Sequence, residues 1–157
     1  MNLRPIRPAD VEAVLDLWEA LLANGHEADP RFEPASDARP QMRERARDRW
    51  LPRDPFPHVL VAESDGRLIG FIHVFPFSTP ILNTRRLARI GDLWVDPDFR
   101  RIGLGRRLVE SVCQFTGEAG YPEIEVGTLT ADHRAVAFWR AIGFGDWQVT
   151  FRMEHRR

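Results

Sequence analysis

Between Asp92 and Arg106 the sequence combines a carboxylate with glycines and arginines at a spacing suited to a phosphorylated ligand. Gly103 and Gly105 let backbone N–H groups approach a ligand closely, and they stand where an amphipathic helix begins. The start of a helix carries a partial positive charge that favours anions. The stretch also carries three guanidinium groups that stay charged, namely Arg100, Arg101 and Arg106. We interpret it as a pyrophosphate site.

The strand that precedes this turn contains a second signal. Gly91 interrupts an otherwise apolar run, and a glycine inside a strand is typical of a β-bulge or of a close approach by another backbone. A bulge leaves backbone amides without a cross-strand partner, so they could bind an extended, amide-containing ligand arm. One such N–H could face a reacting carbonyl oxygen. A ligand with a pyrophosphate at one end and an amide-bearing thioester arm at the other is an acyl-coenzyme A.

Two motifs in the C-terminal half resemble those of the GCN5-related N-acetyltransferases. The family pattern Arg/Gln-x-x-Gly-x-Gly/Ala is matched from Arg100 to Gly105. The pattern Asn-x-x-Ala-x-x-x-Tyr-x-x-x-Gly-Phe is matched from Asp132 to Phe144, with Trp139 in the place of the tyrosine. The two motifs occur in the family's order and at its separation, so the chain is identified as similar to this family.

The resemblance implies a fold and an activity. The fold would be mixed α/β (α+β), with a mostly antiparallel twisted sheet of about six to seven strands, a parallel and splayed central pair, and about four flanking helices. Residues 1–157 would form a single N-acetyltransferase domain, in which residues 24–57 cover the acceptor site. The activity would be transfer of an acetyl group from acetyl-CoA to a primary amine of a small molecule by direct attack on the thioester. A homodimer is also implied.

The same resemblance assigns roles to individual residues. A primary amine must lose a proton before it attacks, so Asp92 is the expected base, and the N–H of Leu93 would stabilise the carbonyl oxygen. The position before Asp92 is often glutamate in the family and is Gly91 here. The residues expected to bind the cofactor are Leu93, Trp94, Val95, Arg100, Arg101, Ile102, Gly103, Leu104, Gly105, Arg106, Asp132, Ala135, Phe138 and Trp139. Those expected near the acceptor are His26, Glu27, Asp29, Glu33 and His73.

The elements that must position these residues are predicted from apolar periodicity and turn signals. We predict an edge strand over Leu3–Arg7, a helix from Asp10 to Asn24, a helix over Ala38–Trp50, a hairpin of strands His58–Glu63 and Arg67–Phe75, and a long strand over Leu82–Val95. Further along, we predict a helix over Gly103–Ala119, a strand over Glu123–Leu129, a helix from Asp132 to Gly143 and a last antiparallel strand over Asp146–His155.

Composition limits the possible partners. The chain has 157 residues with a formal net charge of −1, and its arginines alternate with acids, so neither nucleic acid nor an anionic membrane is an expected partner. A single cysteine excludes an internal disulfide. We find no metal-ligand pattern, leader or long apolar span, and a cytoplasmic protein is expected.

Three alternatives remain open at this point. The acceptor could be a peptide or protein amine. The chain could bind an acyl-CoA without catalysis, because the indole of Trp139 is no useful acid. The pair Gly103 and Gly105 followed by Glu123 or Glu125 also suggests a dinucleotide-binding unit, but the third glycine position is Leu108.

Overall fold

The computed structural model describes residues 1–51, 56–77 and 86–153. Within these ranges the chain forms five strands and four α-helices. The strands are β1 Asn2–Pro5, β2 Val59–Ser64, β3 Arg67–Phe77, β4 Leu87–Val95 and β5 Glu123–Val126. The helices are α1 Val11–Ala28, α2 Ala38–Arg49, α3 Leu104–Glu118 and α4 His133–Ala141.

The strands form one sheet in the order β1-β2-β3-β4-β5. Neighbours from β1 to β4 run antiparallel, whereas β4 and β5 run parallel because α3 connects them as a crossover. The β2–β3 hairpin turns at Asp65 and Gly66, whose φ angles of 51° and 75° are those of the tight turn that Asp-Gly predicts. The predicted mixed α/β fold is confirmed, with β1 at a sheet edge as expected.

Two clusters of buried side chains lie on opposite faces of the sheet. Alternate residues of β2 divide between them, with Leu60 in one cluster and Val59 and Val61 in the other. The first cluster packs against α3 and α4, and the second against α1 and α2. Helices therefore cover both faces of the central strands, and β4 lies between the two layers.

The helix α1 is longer than predicted. The Asn24-Gly25 pair was expected to end it, but α1 continues to Ala28. The ring of Phe32 lies 2.8 Å from the position that a Cβ atom of Gly25 would occupy. Packing of this ring against the helix accounts for a glycine there, so a tertiary contact overrides the local stop signal.

The strand predicted over Asp146–His155 is wrong for residues 146–153, which form no regular element. Their apolar side chains alternate as in a strand, yet Trp147 is 81% exposed and Phe151 is 91% exposed. The strand β5 also ends at Val126 rather than Leu129. Alternation alone does not make a strand without a partner edge. The described sheet thus has five strands instead of six to seven, and the predicted start of β4 at Leu82 lies outside the described residues.

Candidate active site

The loop after β4 turns the chain sharply into α3. Asp96 accepts a hydrogen bond from the N–H of Asp98 at 3.1 Å and begins a short 3-10 turn over Pro97–Phe99. Arg101 and Gly103 then adopt positive φ angles of 61° and 83°, and α3 begins directly after Gly103. These two left-handed residues turn the chain from β4 into α3 within a few residues.

This loop leaves a row of backbone donors without acceptors. Among the described residues, none accepts a hydrogen bond from the N–H groups of residues 101–106, whereas the N–H of Arg107 donates to Gly103 at 3.0 Å. The first turn of α3 also has no side-chain cap. Free N–H groups at a helix N-terminus bind anions, so the loop has the chemistry that a diphosphate needs. We call residues 101–106 the amide cradle.

Helix α4 packs against one side of the amide cradle. A Cβ atom at Gly105 would lie 3.3 Å from the ring of Phe138, so this glycine lets the two helices approach. Asp132 caps α4 by accepting from the N–H of Ala135 at 3.0 Å, and it also accepts from the side chain of Asn24 at 3.0 Å. The contact with Asn24, which sequence reasoning missed, joins α1 to α4 across 108 residues of chain.

Trp139 lies in the core rather than on a cleft surface. Its ring packs against those of Phe138 and Phe144, with centroids 5.0 and 5.2 Å away, and the residue is 7% exposed. The ring therefore stabilises the packing of α4 on the sheet.

The three arginines of the motif are not equivalent. Arg100 folds back over β4, where its Nε donates to the carbonyl oxygen of Val95 at 2.9 Å and its guanidinium lies 4.4 Å from the ring centroid of Trp94. Arg106 has its guanidinium beside Glu110 at 3.8 Å. Arg101 is exposed. Arg101 and Arg106 thus place exposed charge beside the amide cradle, while Arg100 is held against β4.

One side of β4 becomes open before the strand ends. Pairing with β5 stops at Ile90, whereas β4 continues to Val95. The N–H of Asp96 donates to Ile69 on the β3 side at 2.9 Å, so by strand alternation the backbone groups of Leu93 and Val95 point to the open side. Those of Trp94 point to β3. The open side thus offers the N–H groups of Leu93 and Val95 to an extended ligand arm, while the carbonyl oxygen of Val95 already accepts from Arg100.

The bulge predicted at Gly91 is confirmed. His73 of β3 pairs with Asp92 and Val74 pairs with Ile90, which leaves Gly91 as the extra residue of β4. The Nδ1 atom of His73 lies 3.0 Å from Oδ2 of Asp92. His73 and Asp92 thus form a partly buried pair in the middle of the sheet. Asp92 directly precedes Leu93, whose backbone groups point to the open side of β4.

The other predicted acceptor residues form local contacts. His26 bonds through Nδ1 to the carbonyl oxygen of Phe32 at 3.0 Å. The hydrogen bonds from Arg31 lower the pKa of Asp29 to about 2. Glu27 and Glu33 are exposed. No described contact joins these four residues to His73 or Asp92, so the structure brings together only the last two.

Residues 1–51, 56–77 and 86–153 contain neither a metal-binding cluster nor a membrane-spanning helix. No group of three or more His, Cys, Asp or Glu side chains is arranged there to hold a metal ion. No helix there is both long enough and apolar enough to cross a membrane.

Sequence comparisons identify relatives of this chain. Residues 21–144 match the Acetyltransferase (GNAT) family. N-acetyltransferase 8 of Homo sapiens is 36% identical over 84 residues, which cover 54% of this chain and 37% of that protein. An uncharacterized N-acetyltransferase of Methanocaldococcus jannaschii is 26% identical over 101 residues, covering 64% and 45%. The chain thus spans about two fifths of the length of the curated relatives it matches.

Solved structures share the fold. The aminoglycoside N-acetyltransferase AAC(6')-Iy in complex with CoA has a TM-score of 0.73 and 18% identity, covering 99% of this chain and 95% of that one. A protein from Bacillus halodurans has a TM-score of 0.82 and 20% identity, covering 99% and 100%.

Proposed function

This chain belongs to the Acetyltransferase (GNAT) family, and on that premise we propose that it transfers an acetyl group from acetyl-CoA to a primary amine of a small molecule. The observation that carries the proposal is the position of the amide cradle beside the open side of β4, with a carboxylate at the start of that opening. A solved structure of similar fold is a complex with CoA, which supports the same ligand.

The residues present fit such a ligand without a metal. The N–H groups of the amide cradle would hold the diphosphate, and the N–H of Val95 would bind the amide-bearing arm. Phe138 and Gly105 would bound the cradle on the α4 side. The acetyl thioester supplies the group that is transferred. A C–N bond to the amine forms, the C–S bond breaks, and the thiolate leaves.

Two groups on β4 would act on the reacting atoms. The N–H of Leu93, on the open side of the strand, would donate to the carbonyl oxygen as it becomes negative. Asp92 would take the proton of the amine, and its side chain is 19% exposed beside the bulge. A thiol with a pKa near 8.5 leaves readily as thiolate, so buried Trp139 need not replace the family's tyrosine as an acid.

The small-molecule class is supported by two structures of similar fold. One is the aminoglycoside acetyltransferase bound to CoA, and the other is the same enzyme with a bisubstrate analogue built on acetylneamine. Both are less than 25% identical to this chain, so they indicate a class of acceptor and no individual amine. A homodimer and a cytoplasmic location stay predictions.

Calorimetry with CoA and an assay of free CoA thiol test the proposal together. We expect CoA to bind, and acetyl-CoA to release thiol in the presence of one or more amines from a panel of polyamines, amino acids, aminoglycosides and peptides. Binding without turnover would show a non-catalytic acyl-CoA protein. Turnover with peptides alone would favour the macromolecular acceptor. If calorimetry shows no heat with CoA, the amide cradle is not a CoA-binding site.

A further inference from the structure

His73 is a buried titratable residue in the middle of the sheet. It is 6% exposed, and in the described structure its Nδ1 contacts Oδ2 of Asp92 at 3.0 Å. A carboxylate accepts hydrogen bonds, so the Nδ1 atom of a neutral imidazole must carry the proton in this contact. The Nε2 atom is then the acceptor.

Gly91 leaves the room that this imidazole fills. A Cβ atom at Gly91 would lie 2.9 Å from Nδ1 of His73 and 3.0 Å from Cε1 of Phe75. The rings of His73 and Phe75 lie 5.3 Å apart at 34°. The imidazole is therefore fixed between the bulged backbone of β4 and an aromatic ring, and any side chain at Gly91 would compete with it for space.

The two side chains of the pair differ in access. The side chain of Asp92 is 19% exposed, whereas that of His73 is 7% exposed. Asp92 is therefore closer to solvent than His73. Because Oδ2 is bound to the imidazole, the carboxylate cannot rotate freely, and Oδ1 is the oxygen left for the acceptor.

We propose that His73 is a positioning residue for acetyl transfer, which orients Asp92 through the space that Gly91 leaves open. The inference rests on the proposed function and adds a role to a residue outside β4. One proton passes from the ammonium form of the acceptor to Oδ1 of Asp92, and the electron pair of that N–H bond stays on nitrogen for attack. The second proton leaves the nitrogen for the departing thiolate as the amide forms. The Nδ1 proton remains on His73 throughout, so the imidazole needs no change of charge.

Four substitutions separate this role from simple core packing. His73→Leu keeps an apolar side chain of similar bulk and removes the donor. His73→Asn keeps a donor near the position of Nδ1. We expect His73→Leu to lower kcat at least tenfold with an unchanged affinity for CoA, and His73→Asn to recover most of that loss. Gly91→Ala should lower kcat in the wild-type background but add little to His73→Ala, where the space is free.

The tautomer of His73 can be measured in the wild-type protein, so this test does not depend on an active variant. In the wild-type protein, ¹⁵N NMR of the imidazole assigned to His73 should show Nδ1 protonated and Nε2 unprotonated. The opposite tautomer would overturn the proposal. So would wild-type kcat in a folded His73→Leu protein, or equal losses in His73→Leu and His73→Asn. Wild-type protein that turns over no amine would overturn the proposed function and this role together, whereas an active His73→Leu protein overturns the role alone.

Discussion

The amide cradle and the His73–Asp92 pair both adjoin β4, yet they are built from different parts of the chain. The cradle consists of backbone N–H groups fixed by two positive φ angles, and its arginine side chains are exposed or turned elsewhere. The pair consists of two side chains on neighbouring strands, held by a bulge and an aromatic ring. A site made of backbone tolerates loss of side chains and fails when the backbone shifts. A site made of side chains fails when one atom changes.

The largest effect is expected at the side-chain site. Asp92→Asn replaces one carboxylate oxygen with an amide group that cannot take a proton, and should lower kcat by about 10²–10⁴-fold. The affinity for CoA should stay within twofold, because the cradle lies beyond the end of β4. Thiol release and calorimetry on the same preparation measure both quantities. Full activity in this variant would mean that Asp92 is not the base.

At the amide cradle, the largest loss of CoA affinity is expected when a side chain is added at Gly105. Gly105→Val would press a branched side chain against Phe138, whose ring lies 3.3 Å from the Cβ position, and should weaken CoA binding by at least tenfold, or about 1.4 kcal/mol.

A matched control lies later in the same helix. Gly117 has nothing within 4 Å of its Cβ position, so Gly117→Ala should leave CoA binding unchanged and stabilise α3 by about 0.5–1 kcal/mol. Equal CoA affinity in the Gly105→Val protein would show that the ligand does not use the start of α3.

Removal of one charge at the amide cradle should have a smaller effect than either Asp92→Asn or Gly105→Val. Arg101 has a φ angle of 61°, which costs a residue with a side chain about 1–2 kcal/mol. Arg101→Gly relieves that strain and removes an exposed guanidinium. We expect stability to be kept or slightly raised and CoA affinity to fall by about two- to fivefold, the range of one exposed ion pair. A loss as large as that of Gly105→Val would instead make Arg101 a principal ligand.

The smallest effect is expected on folding stability at low pH, at an ion pair that lies away from both sites. Arg4 donates to Asp10 at 2.7 Å, and this hydrogen bond lowers the pKa of Asp10 below its usual 3.8. A lowered folded-state pKa contributes stability above the unfolded value, and this contribution is lost as the pH falls through the folded value. Asp10→Asn should therefore lower stability at pH 7 and reduce its decline below pH 4 (an approximate onset).

Urea unfolding at several pH values measures this effect, and Asp37→Asn is its control, because Asp37 makes no side-chain bond to α2. An unchanged pH profile in the Asp10→Asn protein would exclude the link to Arg4.

The same contrast explains what the sequence could predict. The turn, its glycines and the start of α3 lie within sixteen residues, so their geometry follows from local rules. The bulge at Gly91 was also predictable. Its partner was not, because the contact between His73 and Asp92 depends on how two strands align. The missed link between Asn24 and Asp132 joins residues 108 positions apart, and no local signal indicates it.

Errors arose where tertiary contacts, or the lack of them, overrode a local pattern. The alternation after Asp146 predicted a strand, but no neighbouring strand pairs with the described residues of this tail. The stop signal at Asn24-Gly25 failed because Phe32 packs on that glycine. Roles assigned to His26, Glu27, Asp29 and Glu33 stay predictions, since these side chains contact their own segment or solvent.

The early end of pairing between β4 and β5 also sets how fast individual backbone protons exchange with deuterated water. The amides of Trp94 and Asp96 face β3 and should exchange slowly, whereas those of Leu93 and Val95, only one residue away, should exchange rapidly. Neighbouring amides of one strand thus differ in their rate of hydrogen exchange. Slowing confined to the two fast protons would report that a molecule has settled along that edge.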